Sequence, residues 1–163
     1  MKYQVALSAP YPNVENIRKN PMDAKKLMNS YGGRNSETGA ILTYAYQSYV
    51  VKNENPELAS MLEQVAVVEM KHHELLGTAI YSLGGLPVVA GRNAYFSAAG
   101  LDYSVRAEEF LVRNIREEEA AIREYEALEK TLATPEIREL VKRIVDDETL
   151  HVKLFSETLA KMH

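Results

Sequence analysis

Two stretches of this chain predict most about its fold: VAVVEMKHHELL, residues 65–76, and IVDDETLHVKLF, residues 144–155. Each contains one Glu-x-x-His motif, and the motif residues are Glu69 with His72 and Glu148 with His151. Residues three apart on a helix lie on one face, one turn from each other. In both stretches the Glu and the His interrupt an apolar stripe that would face the core. The pattern therefore predicts helices that carry metal-ligating side chains inward.

Gly and Pro signals predict four main helices and a short leading helix. Asn20-Pro21, Asn55-Pro56 and Thr134-Pro135 each place a capping residue before a proline in the first helical position. Gly32-Gly33 and Gly84-Gly85 are typical helix ends. The predicted helices span residues 21–30, 36–51 after a cap at Ser36, 56–83, 102 or 104 to 132, and 135–161.

The joints between the four main helices are short, long and short. Residues 52–55 and 133–134 are too few to do more than connect antiparallel neighbours. Residues 84–101, at about 3.3 Å per residue, are long enough to cross a bundle from end to end. This order is that of ferritin-like proteins. The sequence thus predicts an all-α, ferritin-like four-helix bundle with a long crossover between its second and third main helices.

The whole chain, residues 1–163, is predicted to be a single domain. Within it, residues 1–35 form an N-terminal arm and the short helix, and residues 36–161 form the bundle. Alternation of apolar and polar residues from Tyr3 to Leu7 leaves a short strand open as an interpretation of the arm.

The composition of the chain excludes several classes of function. The chain has 163 residues, no cysteine and a net charge of −4. The absence of cysteine excludes thiolate metal sites, iron–sulfur clusters and a cysteine nucleophile. The acidic balance argues against a nucleic-acid partner, and no apolar run approaches the ~20 residues of a membrane span. With no apolar core of a signal peptide at the start, we expect a cytoplasmic protein without a membrane partner.

Two further glutamates lie on apolar stripes. Glu37 lies in the first turn of the helix at 36–51, and Glu118 lies between Ile115 and Ile122 on the stripe of the third main helix. Glu119 remains the alternative to Glu118. The predicted inward-facing ligands are therefore Glu37, Glu69, His72, Glu118, Glu148 and His151.

A cluster of buried carboxylates requires positive charge. Each isolated buried carboxylate carries a penalty of several kcal/mol, and two metal ions bound by carboxylates and imidazoles would remove it. We expect iron or manganese, because oxygen-rich ligands suit both. Three neighbours are candidates to support the ligands: Asp147 as acceptor for a ring N–H, most simply that of His72, and Tyr44 and Tyr125 as hydrogen-bond donors. The alternatives are a solvated acid at Asp147 and plain core packing for the two tyrosines.

The motifs resemble the ferritin-like dimetal-carboxylate superfamily. Residues 31–37 and 44–47, and the segment that follows His72, are similar to the ligand regions of manganese catalases and spore-coat catalase-like proteins. Chain length and residues 84–87 are similar to a rubrerythrin-type erythrin domain without rubredoxin. The resemblance implies that Glu69 and Glu148 bridge two ions. It also implies that Glu37 and His72 serve one ion, and that Glu118 and His151 serve the other.

We therefore expect a binuclear oxidoreductase that acts on hydrogen peroxide or dioxygen. It would be either a rubrerythrin-like peroxidase or an enzyme similar to manganese catalases. A peroxidase would need an external electron-donor protein, since the chain has no cysteine for a rubredoxin-type iron. Two alternatives remain: an iron-binding ferroxidase, and a structural or coat-type protein whose metal site only stabilises the bundle. A homo-oligomer, a dimer or larger, is expected.

Overall fold

A computed structural model describes residues 3–91 and 94–162, and most of these residues are helical. The helices are α1 (Pro21–Gly32), α2 (Glu37–Val51), α3 (Pro56–Ser82), α4 (Ala107–Glu129) and α5 (Pro135–Ala160), with one 3₁₀ turn at Ala98–Gly100. The prediction of four main helices and a short leading helix is confirmed. In the described residues, none of the helices combines the length and the apolar character that crossing a membrane requires.

Asparagine caps begin α1 and α3 as predicted. The side chain of Asn20 accepts a hydrogen bond from the amide of Asp23, and that of Asn55 accepts one from the amide of Leu58. Each bond satisfies one of the amides that a helix N-terminus leaves without a partner.

Ser36 and Thr134 occupy the predicted cap positions of α2 and α5, but neither side chain caps its helix. The hydroxyl of Ser36 donates to the carbonyl of Gly33 at 2.8 Å. The hydroxyl of Thr134 donates to the buried carboxylate of Asp23 at 2.8 Å. The Ser36 hydroxyl thus bonds the loop before α2, and the Thr134 hydroxyl joins the start of α5 to α1.

The start of α4 differs from the prediction, since the helix begins at Ala107 and not at residue 102 or 104. Asp102 Oδ1 accepts hydrogen bonds from the amide and the hydroxyl of Ser104, at 3.1 and 2.6 Å. Such local side-chain bonds offer the backbone an alternative to the helix. The helix ends at Glu129, three residues before the predicted end, and Leu132 donates to the Glu129 carbonyl at 3.2 Å in a tighter turn.

The interpretation of residues 3–7 as a strand is wrong. No strand occurs in residues 3–91 or 94–162, and their one isolated bridge joins Ala90 to Tyr95 in the crossover. The arm instead uses its backbone to contact α5: the Leu7 amide donates to Asp147, and the Val5 carbonyl faces His151.

Two antiparallel helix pairs, α2 with α3 and α4 with α5, form the bundle, and α1 packs against α3 and α2. Residues 83–106 form the crossover between the pairs. The crossover backbone passes so close to Gly32 that a Cβ there would lie 2.7 Å from the Ala90 nitrogen and 2.8 Å from the Val89 Cα. Gly32 is therefore required for the end of α1 and the crossover to meet.

The apolar core is divided into two clusters along the bundle. One contains Leu27, Leu76, Ile80, Ile137, Leu140 and Ile144, and the other contains Leu58, Leu62, Val65, Phe110, Leu111 and Phe155. On both α3 and α5 the Glu-x-x-His motif lies between residues of the two clusters. A polar layer is thus enclosed by apolar layers on both sides.

Candidate metal centre

All six predicted ligands meet in this polar layer. Their side chains come from all four main helices, and each residue is buried, with an exposed fraction of 4% or less. The contributors are Glu37 from α2, Glu69 and His72 from α3, Glu118 from α4, and Glu148 and His151 from α5. The structure leaves Glu119 exposed, so Glu118 is the glutamate of α4 that joins the cluster.

The six residues form two overlapping groups. In each group, one ligand atom per residue lies within 4.8 Å of the others, and the groups are Glu37–Glu69–His72–Glu148 and Glu69–Glu118–Glu148–His151. Glu69 and Glu148 belong to both groups. The arrangement fits two ions that share two carboxylates, each completed by one more glutamate and one histidine.

Both imidazoles direct Nδ1 toward the carboxylates. The oxygens around Nδ1 of His72 belong to Glu69 at 3.2 Å, Glu148 at 3.3 Å and Glu37 at 3.7 Å. The oxygens around Nδ1 of His151 belong to Glu69 at 3.0 Å, Glu148 at 3.0 Å and Glu118 at 3.9 Å. The lone pair of either Nδ1 atom would therefore point into the space that the carboxylate oxygens surround.

An orphaned oxygen supports metal binding. Glu69 Oε1 is buried and has no hydrogen-bond partner, although His151 Nδ1 lies 3.0 Å away. A buried carboxylate oxygen without a donor is costly. A divalent cation is the partner that this donor set of carboxylates and imidazoles suits.

Burial and neighbouring charges shift the pKa values of Glu37, Glu69 and Glu118. Burial raises the pKa of Glu37 and of Glu118 well above the ordinary value, and the charges of Glu69 and Glu148 raise both further. Burial acts the same way on Glu69, but the two imidazoles outweigh it and hold its pKa below the ordinary value. Cations among these carboxyl groups would favour the ionised forms of Glu37 and Glu118.

The histidines respond to the same charges. Burial alone would lower the pKa of His72 and of His151, but the neighbouring carboxylates outweigh burial and hold both pKa values well above the ordinary range. The metal-free site thus retains protons on its imidazoles. Metal ions would take the place of these protons.

Tyr44 and Tyr125 each bond a glutamate on the other's helix. Tyr44 of α2 donates a hydrogen bond to Glu118 of α4, and Tyr125 of α4 donates one to Glu37 of α2. Burial and the adjacent carboxylates raise the pKa of both phenols well above the ordinary value, so both hydroxyls remain donors. Each of the two unshared glutamates is thereby held from the opposite helix.

Asp147 lies behind His72, as the sequence suggested. Its Oδ2 is 3.2 Å from Nε2 of His72. Burial alone would raise the pKa of Asp147, but hydrogen bonds from His72, Tyr11 and Arg143 hold it well below the ordinary value. The carboxylate therefore stays charged and fixes the imidazole with Nδ1 toward the cluster.

A buried amide pair between α2 and α4 was not predicted from the sequence. Gln47 Nε2 donates to Asn114 Oδ1 at 2.9 Å, and Asn114 Nδ2 donates to Gln47 Oε1 at 2.7 Å. Asn114 lies one turn before Glu118, so the pair fixes the helix that carries that ligand. A polar residue on each apolar stripe was the available signal, but nothing in the sequence says that the two meet.

A cavity of about 400 Å³ connects the cluster with the surface between α2 and α4. Glu37, Glu69, Glu118 and Glu148 line its inner end, and Tyr44 and Tyr125 line its walls. The other lining residues include charged side chains of α4 and of the loop before α2, which are Arg34, Arg113, Arg116, Glu117 and Glu124. The cavity is large enough to admit water-sized molecules to the cluster.

The fold and the carboxylate–histidine cluster together define a ferritin-like helical protein. Residues 33–159 match the family model described as Rubrerythrin. Because the match covers most of the chain, the chain belongs to the rubrerythrin family. A comparison with curated protein sequences gives no significant match.

Solved structures share this fold. KatB, a manganese catalase from Anabaena PCC7120, matches with a TM-score of 0.87 and 24% identity over 99% of this chain and 81% of that chain. The bacterioferritin of Desulfovibrio desulfuricans matches with a TM-score of 0.71 and 24% identity over 86% of this chain and 82% of that chain. The ferritin-like architecture predicted from the sequence is confirmed.

Proposed function

We propose that this protein is a binuclear metal oxidoreductase that acts on hydrogen peroxide or dioxygen. The observation that carries the proposal is the cluster of four buried carboxylates and two imidazoles at the inner end of a cavity open to solvent. A purely structural metal site has no need of such an opening.

The two groups of ligands suggest how the residues divide their roles. Glu69 and Glu148 would bridge both ions, Glu37 and His72 would complete one ion, and Glu118 and His151 would complete the other. When bound, the ions would supply two-electron exchange with an O–O substrate. The chain supplies the rest: Tyr44 and Tyr125 orient the unshared glutamates, and the two apolar clusters cover the polar layer on either side of the cavity.

We propose iron or manganese as the metal. Among the proteins with this fold, KatB is a manganese catalase and the bacterioferritin has a diiron site. Oxygen-rich ligands accept either ion, and the supply of metal decides between them. Manganese would favour disproportionation of peroxide, and iron would favour peroxide reduction or oxidation of ferrous ion.

The decisive experiment is metal analysis of protein purified without oxygen, followed by a peroxide-decay assay with an oxygen electrode. Two ions per chain and oxygen release without reductant would identify a catalase. Decay that requires a reductant would identify a peroxidase with an external electron donor. Oxidation of added Fe²⁺ without peroxide turnover would identify a ferroxidase, the second candidate. Less than one ion per chain would overturn the binuclear site.

A matched pair of variants distinguishes the site from general acidity. Glu118 and Glu119 are adjacent on α4, but only Glu118 is buried in the cluster. We expect Glu118→Gln to lose an ion and turnover, and Glu119→Gln to keep both. Bound metal and no turnover of peroxide or Fe²⁺ by the wild-type protein would favour the structural alternative.

We also propose a homo-oligomer. The outer surfaces of α2 and α3 expose large apolar side chains, namely Leu42, Tyr49, Val67 and Met70, with exposed fractions of 43–69%. Exposed apolar surface of this kind is typical of subunit contacts. Light scattering coupled to size-exclusion chromatography would give the number of subunits, and a monomer would contradict the proposal.

A further inference from the structure

The N-terminal arm, residues 3–20, lies behind the histidine side of the cluster. Nε2 of His151 lies 2.8 Å from the carbonyl oxygen of Val5. A carbonyl can only accept, so Nε2 must carry the ring proton. When a metal ion displaces the second ring proton, the lone pair of Nδ1 becomes available on the side that faces Glu69 and Glu148. The arm backbone thus sets both the tautomer and the orientation of His151.

The arm reaches His72 through Asp147. The two oxygens of this carboxylate accept hydrogen bonds from the Leu7 amide, at 2.8 Å, and from the Tyr11 hydroxyl, at 2.6 Å. The Oδ2 that binds Tyr11 is also the oxygen 3.2 Å from Nε2 of His72. The Tyr11 ring additionally packs edge-on against the His72 ring, with the centroids 6.0 Å apart.

Arg143 of α5 fastens the arm in this position. Its guanidinium donates to the carbonyls of Leu7 and Ala9, at 2.8 and 3.0 Å, and lies 2.7 Å from Asp147 Oδ1. It also covers the face of the Tyr11 ring, 4.4 Å from the centroid. Arg143 itself has an exposed fraction of only 6%. One buried cation therefore joins the arm to the carboxylate behind His72.

We propose that residues 5–11 of the arm are a clasp that positions both histidines for metal binding, with Tyr11 as a positioning residue. The inference rests on the proposed binuclear site. Because a coupling between two binding events is reciprocal, metal ions would also hold the arm more firmly against α5. The bundle helices alone would then leave the imidazoles insufficiently fixed.

A simpler role for the arm is to cover apolar core. Tyr3 and Val5 pack against one cluster, and Tyr11, Val14 and Ile17 pack against the other. If covering the core were its only role, removal of the Tyr11 hydroxyl would alter stability and leave metal binding unchanged. The hydroxyl alone therefore separates the two roles, since its removal leaves the ring in place.

The test compares Tyr11→Phe with Tyr103→Phe in the full chain. The Tyr103 hydroxyl donates to the Ala98 carbonyl in the crossover, so its removal costs a hydrogen bond that involves neither histidine nor their partners. Protein loaded with Mn²⁺, and in parallel with Fe²⁺ under nitrogen, is mixed with excess EDTA, and the rate of metal release is measured. We expect Tyr11→Phe to release metal about tenfold faster than wild type, and Tyr103→Phe to release it at the wild-type rate.

Hydrogen exchange of the peptide containing residues 3–12 provides the reciprocal measurement. We expect slower exchange in the metal-loaded protein than in the metal-free protein, with less of this protection in Tyr11→Phe. If Tyr11→Phe folds poorly, Arg143→Lys, which weakens the same attachment, should show the same faster release. Equal release from wild type, Tyr11→Phe and Arg143→Lys would overturn the clasp. A wild-type chain that binds no metal would instead overturn the proposed function.

Discussion

The Tyr44 hydroxyl of α2 donates its hydrogen bond to Glu118, a carboxylate of α4, across the cavity between the two helices. Tyr125 and Glu37 repeat the relationship in the opposite direction. The unshared candidate ligand on each helix is therefore held by the other helix, and the two candidate ion sites are tied together at their cavity side.

This relationship predicts separable effects of the two tyrosines. Partners behind a ligand typically contribute about 10–100-fold to metal affinity or activity. We expect Tyr44→Phe to weaken mainly the ion bound by Glu118 and His151, and Tyr125→Phe to weaken mainly the ion bound by Glu37 and His72. Titration with Mn²⁺, followed by electron paramagnetic resonance, would resolve the two ions. Identical loss at both ions in either variant would contradict the assignment.

The number of ions lost should depend on whether a glutamate is shared. Glu69 belongs to both ligand groups, whereas Glu37 belongs to one. We therefore expect Glu37→Gln to retain about one ion per chain and Glu69→Gln to retain neither firmly. Elemental analysis after desalting measures both. Equal metal content in the two variants would show that the two ions do not share Glu69.

Metal affinity should rise with pH. Carboxylates raise the pKa of His72 and of His151, so the metal-free fold gains stability from their protons below pH about 6.5. This gain is lost as pH rises through the folded pKa values. Ions compete with these protons, so the apparent Kd should fall from pH 6 to pH 8, the range that competition titrations with a chelator would cover. A Kd independent of pH would contradict this.

The buried amide pair predicts non-additive stability. Gln47→Leu or Asn114→Leu alone leaves the other amide without a partner, and each should lower the free energy of unfolding by about 1–3 kcal/mol. The double variant removes both polar groups and should cost less than the sum of the single variants. Urea denaturation of the four proteins gives the coupling. Additive losses would indicate that the two amides act independently.

The contribution of Asp23 to the stability of the fold should depend on pH. Its carboxylate accepts bonds from the Ala133 and Thr134 amides and pairs with Lys26 at 2.9 Å. Burial would raise its pKa, but the bonds from Lys26 and Thr134 hold it below the ordinary value. Its contribution is therefore present above the unfolded pKa of about 3.9 and is lost as pH falls through the folded pKa.

We expect Asp23→Asn to destabilise the metal-free protein by about 2 kcal/mol at neutral pH. The difference from wild type should shrink as pH falls from about 5 to about 3, because a protonated carboxyl group resembles an amide. Urea denaturation at several pH values measures this difference. A difference that stays constant over this range would show that the charge of Asp23 contributes nothing.

Helix periodicity by itself determined which side chains face inward. Each residue turns a helix by the same angle, so sequence spacing alone says which side chains share a face. This applies to both Glu-x-x-His motifs and to Glu118 with its apolar neighbours. The same local physics set the helix starts after Asn20 and Asn55 and the division into two helix pairs. These features depend on residues a few positions apart, which the sequence displays directly.

Only the tertiary structure decided which inward-facing groups meet across the bundle. Val5 and His151 are 146 positions apart, and Gln47 and Asn114 are 67 apart. Whether such groups meet depends on how the helices are rotated and shifted against each other, which the packing of many side chains decides together. The alternation in the arm suggested a strand, yet charged groups of α5 offered its backbone better partners. The inward orientation of the six candidate ligands follows from periodicity, whereas their meeting in one cluster and the partners behind them follow from packing.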